Sequence, residues 1–171
     1  MKGEHISLRA LEPEDIETLY LWENDIDTWT VSDTITPYSK FVLTQYLENA
    51  HLDIYTTKQF RFIIVENSSQ QAVGSIDLFD FDPLHQRAGV GVLIDAKYRS
   101  NGYASEALSL LENYCFDTLQ LHQIYANITT QNIKSISLFE KHLFELAGLK
   151  KEWRKINNHW VDELIYQKFR K

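Results

Sequence analysis

A single cysteine, Cys115, rules out an intramolecular disulfide. No apolar run approaches the roughly 18 residues that crossing a bilayer requires. The start, Met1-Lys2-Gly3-Glu4-His5, carries no apolar signal-peptide stretch. A cytoplasmic protein without a membrane partner is the expectation. Basic residues are also short: 17 Lys and Arg face 24 Asp and Glu, a formal net charge of −7. That balance argues against binding nucleic acid by bulk electrostatics and is compatible with a cationic substrate. The three prolines and six glycines do not gather into a linker, so nothing marks a domain boundary. No internal repeat is visible. With 44% hydrophobic residues the chain can bury a core, and residues 1–171 suit one domain.

The pattern predicts a strand over 5–9, where Ile6 and Leu8 alternate with polar neighbours. Pro13 with Glu14 and Asp15 suits a helix start, continued by Ile16, Leu19 and Tyr20. Thr36-Pro37 predicts a second helix, capped by Thr36, with Tyr38, Phe41, Val42 and Tyr46 as its apolar stripe. A polar and aromatic connection containing Trp29 lies between them. Strands are predicted over 60–66 and 72–81, around a turn. A third, buried strand covers 88–95, where Gly89 and Gly91 suggest a bulge or a close backbone approach. The clearest helix is 103–117, with Ala104, Ala107, Leu108, Leu111, Tyr114 and Cys115 on one face. A strand over 123–129, a helix over 132–142 and a hairpin of 149–156 with 159–169 complete the chain. The order β-α-α-β-β-β-α-β-α-β-β implies an α/β fold, a mixed sheet covered by helices.

The most informative stretch runs from Val92 through Arg99-Ser100-Asn101-Gly102-Tyr103-Ala104. A buried strand enters a short loop, and the loop opens the best helix. The first amides of that helix lack intrahelical partners, and its dipole adds positive charge, so the end suits an anion. Gly102 permits close approach, Ala104 keeps the first turn clear, and Arg99 adds a full charge. An ordinary crossover with glycine at its corner would read the same way from spacing alone.

Arg99-Ser100-Asn101-Gly102-Tyr103-Ala104 resembles the acetyl-CoA motif of the GNAT acetyltransferases, Arg/Gln-x-x-Gly-x-Gly/Ala. Asn132-x-x-Ser135, followed by Leu138-Phe139-Glu140-Lys141, is similar to the family's Asn-x-x-Ser-x-x-x-Tyr-Glu-Lys segment. The resemblance spans Ile6 to Phe169 and implies an acetyl-CoA-dependent N-acetyltransferase. It implies that backbone groups of Val92, Leu93 and Ile94 hold the pantetheine arm. Amides from Arg99, Ser100, Asn101, Gly102, Tyr103, Ala104 and Ser105 would hold the pyrophosphate. Asn132 and Ser135 would meet the lower cofactor arm, although helix capping explains Asn132 equally well. Phe60-Arg61-Phe62, 82–88 and Tyr98-Arg99 resemble the branch of spermidine, diamine and ribosomal-protein N-terminal acetyltransferases. That resemblance implies a small amine acceptor, with a polyamine or diamine ahead of a protein N-terminus. A non-catalytic acyl-CoA-binding module is the alternative of another class. A homo-oligomer is compatible with the sequence, which does not set the oligomeric state; no metal site is expected.

Several positions depart from the branch. Gly89 stands where a Glu is common, Phe139 where a Tyr is common, and His142-Leu143-Phe144 where Leu-Gly-Phe is common. Ile35-Thr36 stands where the polyamine enzymes carry acids. An amine like that of lysine costs roughly 4–5 kcal/mol to neutralise at pH 7, whereas thiolate departure costs about 2 kcal/mol. The base therefore matters more than the acid. Asp80, or failing that Asp77, is expected to take the proton through water, each being otherwise a solvated strand-end acid. His85 is a weaker candidate. Asp33 and Trp29 are expected at the amine, and Trp153 and Trp160 either line that end or pack across strands. Lys150-Lys151 and Arg154-Lys155 read as a solvated strand face. Cys115 reads as core.

Overall fold

The computed structural model describes residues 1–32 and 34–171. Its strands are β1 (Ile6–Arg9), β2 (Phe60–Glu66), β3 (Ala72–Asp82), β4 (Arg87–Ile94), β5 (Gln123–Thr129), β6 (Glu145–Ile156) and β7 (His159–Phe169). Its helices are α1 (Ile16–Glu23), α2 (Ile26–Ser32), α3 (Lys40–Glu48), α4 (Ile54–Thr57), α5 (Tyr103–Asn113) and α6 (Ile133–Lys141). The strands form one mixed sheet in the order β1-β2-β3-β4-β5-β7-β6. Among the described residues only β4 and β5 pair in parallel, as a helical crossover through α5 requires. The expected mixed α/β architecture is present.

Both faces of the sheet are covered. On one face Ile64, Ile76, Leu78 and Val90 pack with Ala107, Leu108, Leu111 and Cys115, and Phe139 joins them. On the other, Ile63 and Val65 pack with Leu19 and Trp22 of α1 and Leu43 of α3. Each fully buried Leu or Ile contributes roughly 1.5–3 kcal/mol. This two-sided burial explains why the central strands read as near-continuous apolar runs. The final hairpin turns at Asn157 and Asn158, both at positive φ (47° and 67°), the two-residue geometry that Asn tolerates.

Four elements differ from the sequence reading. The second predicted helix starts at Lys40, and Ser39 caps it by accepting the Val42 amide at 3.2 Å. Thr36 is not the cap. The apolar stripe shifts accordingly: Leu43 is buried, while Tyr38, Phe41 and Val42 are exposed. The connection holding Trp29 contains α2, hidden in the sequence by weak helix formers such as Thr and Val. The short α4 went unread although Asp53 accepts the Thr56 amide as a clear cap. Strand β6 begins at Glu145, because a register shift between Leu146 and Gly148 breaks the alternation there.

Candidate active site

Strands β4 and β5 pair only at Arg87–Gln123, Ala88–Ile124 and Gly89–Tyr125. Beyond that point β5 runs on beside β7 alone. The edge of 90–94 on the β5 side therefore carries no strand among the described residues. Backbone N–H and C=O groups left there can pair with an extended, amide-bearing arm.

At the end of β4 the chain turns through Arg99 and Gly102 into α5. Gly102 caps the helix at φ +83°, a left-handed conformation that costs other residues about 1–2 kcal/mol. A Cβ built on Gly102 would meet nothing within 4 Å. The glycine thus borders open space beside unpaired helix amides, a cradle suited to phosphate. The space is a cavity of about 550 Å³ lined by Val92, Leu93, Ile94, Arg99, Ser100, Gly102, Tyr103, Ala104, Ser105, Asn132 and Ser135. Asn101 is not on that wall; its side-chain amide donates to the Tyr98 carbonyl at 3.1 Å. Arg99 Nε donates to the Ile94 carbonyl at 3.1 Å, which ties the loop to the strand end. The Asn132 side chain accepts the Ser135 amide at 3.1 Å, so it caps α6 while lining the cavity.

A second cavity, of about 1010 Å³, shares Glu23, Arg61, Asp77, Gly91 and Asn132 with the first. Arg61 on β2 organises this shared wall. Its Nε and Nη2 donate to the two oxygens of Asp77 at 2.7 and 3.0 Å, and Nη1 donates to Glu23. Burial lowers the Arg61 pKa, but Asp77 and Glu23 outweigh it and hold the guanidinium well above its usual value. Two carboxylates around one cation leave a net charge of −1 at the junction. Trp29 lines the larger cavity and anchors its indole N–H on the Glu23 carbonyl at 2.9 Å. Asp33 lies outside the described residues.

The two aspartates expected as bases part company. Asp77 lines both cavities, yet each of its oxygens already accepts from Arg61. Asp80 lines neither. It sits in the β3 bulge at φ +49° and accepts the Tyr125 hydroxyl at 3.1 Å. The cavity side of β3 carries Asp77 and Phe79, whereas Asp80 follows the phase of Ile76 and Leu78 and lines neither wall, so it is corrected as a site residue. His85 is exposed on the β3–β4 turn and is likewise absent from both walls. Burial, with Glu112 adding to it, pushes the Cys115 thiol up to about 12, so it supplies no thiolate.

Sequence reading missed Glu163. It is 4% exposed on β7 and lines the larger cavity. Lys150 donates to it at 3.0 Å, and Arg154 lies 3.9 Å away. Half of the supposed solvated basic face therefore turns inward to neutralise a buried acid. The signal was available: Glu163 follows buried Val161 at the inward phase of an alternating strand. Both tryptophans of the hairpin are exposed, but Trp153 lines the cavity beneath the Lys150 ammonium, 4.8 Å from its ring centre, whereas Trp160 is off that wall.

A family model described as an acetyltransferase (GNAT) domain matches residues 5–145. The chain belongs to the GNAT acetyltransferases. It is an acetyl-CoA-dependent N-acetyltransferase. Among its relatives, the spermidine N(1)-acetyltransferase of Vibrio cholerae is 26% identical over 160 residues, covering 92% of this chain and 88% of that one. The probable N-acetyltransferase YjcK of Bacillus subtilis is 28% identical, with 96% and 94% covered. A crystal structure of the V. cholerae spermidine enzyme with CoA and spermine superposes with a TM-score of 0.87, at 24% identity and 98% and 97% coverage.

Two GNAT positions are altered for visible reasons. A Cβ on Gly89 would come within 2.2 Å of the ring edge of Phe79 on the neighbouring strand. Phe79 in turn meets Tyr125 edge-on, 5.9 Å between ring centres. The close approach expected at β4 is thus made by a side chain, and an aromatic wall occupies the place of a carboxylate. Gly89→Glu is expected to destabilise the protein by about 1–3 kcal/mol through overpacking, and much less when Phe79 is also cut to Ala. Equal losses in the two backgrounds, measured by urea unfolding, would show that Phe79 is not the obstacle. Phe139, at the family's tyrosine position, is 3% exposed and packs edge-on against Phe144 at 4.9 Å, while still touching the larger cavity. It has no proton to give.

Proposed function

We propose that residues 1–171 act as one cytoplasmic catalytic domain that acetylates a small primary amine, preferring a diamine or polyamine to a protein N-terminus. The observation that carries this reading is the net −1 cluster of Glu23, Arg61 and Asp77, set on the wall common to both cavities. An ammonium approaching the acetyl group meets two carboxylates already fixed by one guanidinium. Asp77 keeps a second lone pair on each oxygen after serving Arg61, enough to hold the ammonium or a water that takes its proton. Val92, Leu93 and Ile94 would carry the pantetheine arm, and the Arg99–Ser105 turn the pyrophosphate. Acetyl-CoA supplies an activated thioester; the chain's part is to orient the amine, accept its proton and exclude competing water. The names of the V. cholerae and Escherichia coli relatives, both spermidine N(1)-acetyltransferases, support the acceptor class. A similar V. cholerae enzyme is described as dodecameric, which supports a homo-oligomer.

A non-catalytic acyl-CoA-binding module is the second reading, favoured by Phe79 filling the space at Gly89. CoA release with spermidine, putrescine and ribosomal-protein N-terminal peptides separates them. The expected outcome is turnover with at least one polyamine, with kcat/KM about tenfold or more above any peptide. Faster reaction with a peptide overturns the acceptor class. Acetyl-CoA binding with no CoA release for any amine establishes the module instead.

A further inference from the structure

His142 stands where related chains were expected to carry leucine, and its surroundings are not those of a leucine. The imidazole is 8% exposed. Its Nε2 lies 2.8 Å from Ser105 Oγ, and its Nδ1 lies 3.2 Å from Glu112 Oε1. Lys168 on β7 donates to the other Glu112 oxygen at 2.7 Å. Glu140, on α6, accepts instead from the Tyr166 hydroxyl. Ser105 is the third residue of α5 and lines the smaller cavity beside Gly102 and Arg99. The network thus joins a buried titratable ring to the helix end that fits the cofactor's pyrophosphate.

Counting donors decides what the network does. Ionised Glu112 only accepts, so Nδ1 carries a proton. In the neutral ring Nε2 is then a bare acceptor, and Ser105 must give its single proton to it. The serine shows only lone pairs to the cavity, which repel a phosphate oxygen. With Nε2 also protonated the ring donates to Ser105, and the serine hydroxyl is free to donate to that phosphate. Glu112 faces the resulting imidazolium and favours it; Lys168, on the far oxygen of Glu112, opposes it.

We infer that His142 is a positioning residue that couples cofactor binding to proton uptake, turning the Ser105 hydroxyl from an acceptor into a donor for the pyrophosphate. The inference rests on the cofactor placement and is independent of the acceptor amine. By linkage, the ligand favours proton uptake by the network as far as the proton tightens the ligand. Affinity is therefore greatest at low pH and falls as pH rises.

The test uses dephospho-CoA, which has no 3′-phosphate monoester to titrate in the same range, and calorimetry in two buffers of different ionisation enthalpy. Wild type is expected to take up a proton on binding and to lose about tenfold or more in affinity from pH 6 to pH 8. His142→Gln and Ser105→Ala should both bind without uptake and with a flat profile. Binding without uptake in wild type overturns the coupling while leaving the cofactor placement intact. Full uptake in Ser105→Ala overturns the serine's part. No binding by any folded protein overturns the placement and the coupling together.

Discussion

Gly102→Trp is expected to lower the affinity for acetyl-CoA by more than about 100-fold, or ~2.7 kcal/mol, while the domain stays folded. The glycine does two jobs that one substitution would confuse. It adopts φ +83°, and it leaves open the space beside the first turn of α5. Gly102→Ala separates them. Both variants carry a Cβ at positive φ and lose about 1–2 kcal/mol of stability. Only tryptophan projects a large ring into the cavity shared with Arg99 and Ser105. The melting temperatures of the two variants should therefore fall together, while their affinities separate. A folded Gly102→Trp protein with wild-type affinity would place the pyrophosphate elsewhere.

This loop was legible in the sequence because three local rules agree there. The i, i+3, i+4 stripe of Ala104, Ala107, Leu108 and Leu111 marked the helix. Gly102 marked its start, and the apolar run before it marked a buried strand. Each rule acts within a few residues, so one chain is enough to apply them. The second helix shows the same reasoning failing at short range. Thr36-Pro37 and Ser39-Lys40 both satisfy the capping pattern, and the packing of Leu43 against α1 selects the latter.

The acceptor side was far less legible, because it depends on register. Phe79 blocks Gly89 only because Phe79 and Gly89 are cross-strand partners, the last regular pair before the irregularity between Phe79 and Asp82. Asp80 shares the phase of Ile76 and Leu78, not that of Asp77 and Phe79, and so lines neither cavity. Arg61 stands opposite Asp77 across β2 and β3, a pairing no spacing rule along the chain reveals. Glu23 reaches Arg61 from the end of α1, where an acid reads as solvated.

The largest stability effect is expected at Arg61. Replacing it with leucine leaves Glu23 and Asp77 facing each other with no counter-ion; their side chains are only 18% and 28% exposed. Breaking such a pair from one side typically costs about 3–5 kcal/mol, which for a chain of this size lowers Tm by roughly 10 °C. The loss should depend on pH in a definite direction. Without the guanidinium, mutual repulsion and burial raise the folded-state pKa of the two carboxylates above their unfolded values near ~4. The variant then binds more protons folded than unfolded, so its stability rises as pH falls through the raised value. The gap between wild type and Arg61→Leu should accordingly narrow from pH 7 to pH 5. Adding Glu23→Gln and Asp77→Asn to Arg61→Leu removes the charges altogether and should recover much of the loss at pH 7. A gap that neither narrows on acidification nor shrinks in the triple variant would mean that Arg61 supports the wall by packing, and that the charge at the junction of the cavities does not govern its stability.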